Sequence, residues 1–129
     1  MRPRLLLTLL LPALGACDSG PMVPEDGCTL RASLDLRVLD SAGAPVSGVS
    51  AHDSLPRTGA VLPVQELPGA PGTYEVLSDE NRAGLRAAGD TLLILGASGP
   101  DSFTLRWVVD IVQGCHVHLK SGADSVVVP

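Results

Sequence analysis

The sequence predicts an all-β domain, an antiparallel sandwich of seven or eight strands, lying after an N-terminal signal peptide. Three observations predict it. Apolar residues recur at every second position in several segments, the alternation of strands with one buried face. Turn formers are abundant, with 14 Gly and 11 Pro in 129 residues. No segment carries a sustained helical pattern, and short strands with frequent turns favour a sandwich or small barrel.

The first element is a leader. Met1 to Arg4 is a short basic start, and Leu5 to Leu14 is almost wholly apolar with Pro12 inside it. A spanning helix needs roughly twenty apolar residues, so this run fits the apolar region of a signal peptide better. It closes on Leu14-Gly15-Ala16-Cys17. That site resembles the lipobox of bacterial lipoproteins. The resemblance implies cleavage before Cys17 and acyl chains, palmitate among them, on its thiol and new amine. Two or more such chains hold a protein stably to a bilayer, where one does so marginally. The alternative is an ordinary secretory signal in which Cys17 is incidental. Residues 1–16 are thus assigned to a lipoprotein signal peptide and 17–27 to a lipidated cysteine and its tether. Asp18 to Gly27 carries Pro21, Pro24, Gly20, Gly27 and three acidic residues, the composition of a flexible linker.

The β-domain is assigned to 28–129. Thr29 to Asp40 is the cleanest strand, with Leu30, Ala32, Leu34, Leu36 and Val38 at period two. Ser41 to Pro45 turns, and Val46 to His52 is a second short strand broken at Ser54 to Arg57. Ala60 to Glu66 is a weaker strand. Its Pro63 cannot donate to a ladder and so predicts an edge position. Pro68 to Gly72 turns into a strand at Thr73 to Leu77. Within Ser78 to Asp90, residues 81–89 fit one or two helical turns, with Gly84 opposing a stable helix. Thr91 to Ala97 reads as a buried strand. Phe103, Leu105, Trp107, Val109 and Ile111 alternate along the longest one, and Gln113-Gly114 is a two-residue turn. Cys115 to Lys120 and Ser125 to Val128 read as a final hairpin.

Charge and cysteines restrict function. Removing Arg2 and Arg4 with the leader leaves seven basic residues against fourteen acidic ones, a net charge of −7. This argues against a nucleic-acid partner, which needs clustered cations, and against electrostatic adhesion to anionic lipid. The aromatic side chains are Tyr74, Phe103 and Trp107, too few to supply both a core and a stacking site. With Cys17 acylated, Cys28 and Cys115 remain. An even pair in an exported domain reads as a disulfide, and both fall in phase with apolar residues of their segments. Two buried free thiols are the alternative.

The segment Leu34 to Ser50 includes Gly43-Ala44-Pro45-Val46 and Gly48-Val49. It resembles the opening strand-turn-strand of carboxypeptidase-regulatory-like domains, relatives of the transthyretin-like sandwich. Gly72-Thr73-Tyr74 resembles the Gly-x-Tyr of a later strand in that family, and Cys115-His116 a Cys-His near its end. The resemblance implies a non-catalytic accessory or adhesion module and carries over no catalytic residue. Immunoglobulin-like sandwiches are the competing fold.

Candidate sites are few. His116 and His118, two apart on one strand, share a face and form a possible pair of metal ligands, with His52 or a carboxylate as a third. Two histidines on a polar strand face are the plainer reading. His52-Asp53-Ser54 and Asp101-Ser102 supply hydrolase residue types without a spacing that fixes a triad. Asp79-Glu80 reads as a solvated loop. No glycine-rich phosphate loop follows a strand and opens a helix, and no cofactor is called for. The resulting expectation is a lipid-anchored protein of the bacterial cell envelope, at either membrane, with a structural or binding role towards an envelope protein or surface polymer. A metal-binding lipoprotein is the first alternative and a small hydrolase the second.

Overall fold

The computed structural model describes Cys28 and residues 30–129. The signal peptide, Cys17 and the tether expected from the sequence lie outside the described residues. Eight strands follow one another: β1 (Ser33–Leu39), β2 (Ser50–Leu55), β3 (Ala60–Glu66), β4 (Thr73–Ser78), β5 (Asp90–Ser98), β6 (Asp101–Val112), β7 (His116–Ser121) and β8 (Ser125–Val127). A 3₁₀ helix at Asp79–Gly84 joins β4 to the β5 approach. The all-β expectation holds, in the form of one mixed sheet ordered β7-β6-β5-β2-β3-β4-β1-β8. β7 also touches β1 and β4, so the sheet curls its apolar face around one core.

That core is built by the alternation seen in the sequence. Leu36 and Val38 of β1, Leu92 and Ile94 of β5, and Trp107 and Val109 of β6 are fully buried. Phe103, Leu105 and Ile111 pack against them from the same face of β6. Tyr74 and Trp107 each keep a polar handle satisfied, as buried Tyr and Trp require. The Tyr74 hydroxyl donates to the Val46 carbonyl and accepts from the Val49 amide, and Trp107 Nε1 donates to the Ala123 carbonyl.

Several elements differ from the sequence reading. The last two strands do not form a hairpin: β8 pairs in parallel with β1, Arg37–Leu39 against Ser125–Val127, and this is the one parallel pair among the described strands. The chain is drawn across by the Trp107 bond to Ala123 and by the Arg37 amide on the Asp124 carbonyl. The second strand begins later and runs on through Leu55. Pro63 sits in a strand interior to the sheet order, paired with His52 of β2. β3 meets β4 only at Gln65 and Glu66, so Pro63 lies where the β4 side of the strand is open and no ladder bond to β4 is missed. The 3₁₀ helix occupies 79–84, earlier than the 81–89 window.

Two turns fall where the sequence reading places them. Gln113 and Gly114 both take positive φ, 56° and 68°, and the Cys115 amide bonds the Val112 carbonyl at 3.0 Å. That is a primed turn, whose twist suits flanking strands, but Val112 pairs with His116, so Cys115 is a third loop residue and the loop is one residue longer than the sequence reading. Gly72 has φ of 72°, and a Cβ there would stand 2.6 Å from Pro45 Cβ and 2.9 Å from the Val46 nitrogen. The Gly-x-Tyr segment thus lies directly on the Pro45 turn. Gly72→Ala should cost about 2–3 kcal/mol, combining left-handed backbone strain with overpacking. A denaturant melt showing a change under about 0.5 kcal/mol would contradict this contact.

Candidate functional site

The richest polar cluster lies at one end of the sheet, around the Cys28–Cys115 disulfide, whose Cα atoms are 5.3 Å apart. The bridge exists as expected, but neither cysteine lies within a strand. Cys115 closes the β6–β7 turn, and Cys28 precedes β1. Both are half-buried. The bridge staples the first described residue of the domain to a hairpin turn.

Asp79, at the start of the 3₁₀ helix, organises this end. It is not the solvated loop residue expected. Its Oδ2 accepts from the Ala32 amide at 2.8 Å and lies 2.8 Å from His116 Nδ1, while Oδ1 accepts from the Val117 amide at 2.9 Å. One carboxylate thereby ties together the lead-in to β1, the 3₁₀ helix and β7. Burial alone would raise its pKa. The Ala32 amide, the His116 ring and the Val117 amide outweigh that and hold it down to about 2. Asn81 completes the cap, its Oδ1 accepting from the Ser78 amide at 2.9 Å. Asp79→Asn keeps the size but loses charge and one acceptor. It should cost about 1–3 kcal/mol, the penalty for buried amides left without a partner, and a melt at neutral pH measures it.

Arg82 reaches across the same end. Its Nη1 lies 3.3 Å from Cys28 Sγ and 3.2 Å from the Cys115 carbonyl oxygen, donating to both. An open cleft of about 300 Å³ is lined by Cys28, Leu30, Arg31, Asp79, Glu80 and Arg82. Arg31 is committed within it, forking onto both oxygens of Glu75 at 2.7 and 2.9 Å and lying 3.5 Å from Glu80. Leu30 stands 77% exposed at its rim.

Two further carboxylates are buried elsewhere. Asp90 opens β5 and is gripped by Arg57, Nη2 to Oδ2 at 2.6 Å and Nε to both oxygens. That hydrogen bonding lowers its pKa, against burial and helped by the Arg86 amide. Asp53 of β2 is 0% exposed, and neither of its oxygens has a hydrogen-bond partner. Burial pushes its pKa up to about 7; the Leu62 amide, near the carboxylate but outside hydrogen-bond geometry, pulls weakly the other way.

The sequence-derived candidates are dispersed. His116 engages Asp79. His118 lies 2.9 Å from Asp110 of β6, with Lys120 at 3.9 Å from the same carboxylate. His52 is exposed on β2, separated from β7 by β6 and β5 in the sheet order. Among the described residues no group of three His, Cys, Asp or Glu side chains could hold a metal ion. Asp53 points into the core while His52 and Ser54 take the other face of β2, so these three cannot form a triad. Asp101 and Ser102 open β6 opposite Ser98 and Ala97, away from the three histidines. Comparison with known proteins gives no match: no family model, no curated protein and no solved structure matches the chain.

Proposed function

We propose that the protein is a lipid-anchored β-domain of the bacterial envelope, held by Cys17 and serving a non-catalytic structural or binding role towards an envelope protein or surface polymer. The observation that carries this reading is the disulfide at the domain's start. A tether leaving an acylated Cys17 arrives at Cys28, and Cys28 is stapled to the β6–β7 turn. Force or drift at the anchor then meets a covalent clasp before it reaches β1, which suits a domain held at a surface. Eleven tether residues reach at most about 40 Å, so the disulfide end and its cleft face the bilayer at short range. The net charge of −7 keeps the domain body off anionic head groups. We read the curled sheet as a sandwich related to the carboxypeptidase-regulatory-like domains, on the strength of Gly43-Ala44-Pro45-Val46 and of Gly72 seated on Pro45.

Cys17→Ala should move the protein from the membrane to the soluble fraction and abolish acyl labelling. A variant that stays membrane-bound with unchanged labelling would remove the anchor from this account. Crosslinking in intact cells, with wild type and the released variant side by side, identifies the neighbour; a binding role requires neighbours that depend on the anchor.

A further inference from the structure

We propose that the Cys28–Cys115 disulfide is a thiol–disulfide exchange site for a dithiol reductant, in which Arg82 stabilises the Cys28 sulfur as the leaving thiolate. Three observations meet here. The bridge is half-buried rather than enclosed: Cys115, the sulfur to be attacked, follows the exposed residues Val112, Gln113 and Gly114 and is itself part-exposed, while Cys28 lines the open cleft. The guanidinium of Arg82 donates to Cys28 Sγ at 3.3 Å and is fixed by its second bond to the Cys115 carbonyl at 3.2 Å. The carboxylates nearby face other partners: Asp79 is engaged by Ala32, Val117 and His116, Glu75 by Arg31, and the exposed Glu80 of the cleft lies 3.5 Å from Arg31. The positive charge of Arg82 is thus placed on one sulfur and not the other.

The chemistry follows from that asymmetry. A thiolate attacks one sulfur of a disulfide and the other departs, and the departing sulfur leaves faster the better its negative charge is stabilised. A nearby guanidinium lowers a cysteine's pKa. One thiolate of the reductant therefore attacks Cys115 Sγ. The S–S bond breaks, and its electron pair goes to Cys28, whose thiolate is held by Arg82. The second thiol of the reductant, deprotonated, then attacks its own sulfur in the mixed disulfide and releases Cys115. The protein disulfide becomes two thiols, the dithiol becomes a disulfide, and the reductant's two protons end on the cysteines. Opening the bridge frees the Cys28 end from the β6–β7 turn. The Ala32 bond to Asp79 and the Arg31–Glu75 pair still hold the following residues to the domain, so exchange loosens the clasp without undoing the sheet. The inference rests on described residues alone and is independent of acylation at Cys17.

The test uses the full oxidised chain. Glutathione at neutral pH followed by iodoacetamide, with peptide mapping, should place glutathione on Cys115 and the alkyl group on Cys28. Dithiothreitol should reduce Arg82→Gln three- to tenfold more slowly than wild type, Arg82→Lys should recover most of the rate, and Arg106→Gln, which removes an exposed charge on β6 outside the cleft, should leave it unchanged. Glutathione found chiefly on Cys28, or an Arg82→Gln rate that equals or exceeds wild type, overturns the proposal. So does an Arg106→Gln effect as large as that of Arg82→Gln, since general charge would then account for it.

Discussion

Asp53→Asn should stabilise the protein at pH 8 by about 2–4 kcal/mol and change little at pH 4. The wild-type carboxyl is wholly buried with no hydrogen-bond partner for either oxygen, and its pKa is raised from 3.8 to about 7. Between those values the unfolded chain has lost the proton and the folded chain retains it, so folding takes up a proton. Stability then falls as pH rises through that window and is flat above it. At 1.36 kcal/mol per unit the full loss is about 4 kcal/mol. The amide variant cannot ionise and escapes that loss, though it still buries polar atoms. For a domain of about a hundred residues this corresponds to a melting temperature higher by roughly 10 °C or more. Asp79 has the opposite sign. Its pKa is lowered from 3.8 to about 2, so the stability it contributes is present above the unfolded value and lost as pH falls towards 2. The two together place maximum stability at about pH 4, and Asp53→Asn should flatten the neutral side of that curve while leaving the acid side in place. A wild-type curve that rises steadily from pH 4 to 8 would contradict the burial of an ionisable Asp53.

Opening the disulfide should lower the melting temperature by roughly 20 °C. The bridged residues are 87 apart in sequence, and closing a loop of that length removes chain entropy from the unfolded state worth about 4–5 kcal/mol. Small domains hold only about 5–15 kcal/mol in total, so this is a large share. The Cys28→Ala, Cys115→Ala double variant should melt like the reduced wild type, because the effect lies in the constraint and not in the thiols. A melt of the oxidised protein insensitive to reduction, or two free thiols by mass spectrometry after air oxidation of the purified protein, would refute the bridge.

Much of the fold could be read from periodicity, because a strand with one buried face repeats at two. The β6 alternation from Phe103 to Ile111 was legible that way; the turn at Gln113-Gly114 was legible from its residue types, and the Cys28–Cys115 pairing from an even pair of cysteines in an exported domain, although neither cysteine lies within a strand. What periodicity does not encode is which edges meet. The parallel β1–β8 pair depends on Trp107 and Arg37 catching the carbonyls of Ala123 and Asp124, contacts between residues far apart in sequence. The buried carboxylates divide in the same way. Asp53 was recoverable: Val49, Ala51, Asp53 and Leu55 share a phase, and only the early break at Ser54 hid its place on the apolar face. Asp79 was not, since its partners Ala32 and Val117 come from two other segments. Nor was Arg82, whose role appears only once the β6–β7 turn is beside it. The histidines had the right face but the wrong company, each drawn to its own carboxylate.

The intact mass of the mature chain, extracted from the cell envelope in detergent, bears most directly on the anchored, clasped domain proposed here. The account predicts a chain beginning at Cys17, heavier than its residues by two or three acyl chains, with all the added mass on the N-terminal residue and Cys28 joined to Cys115. A chain cut elsewhere, or one starting at Cys17 with no acyl mass, would contradict it.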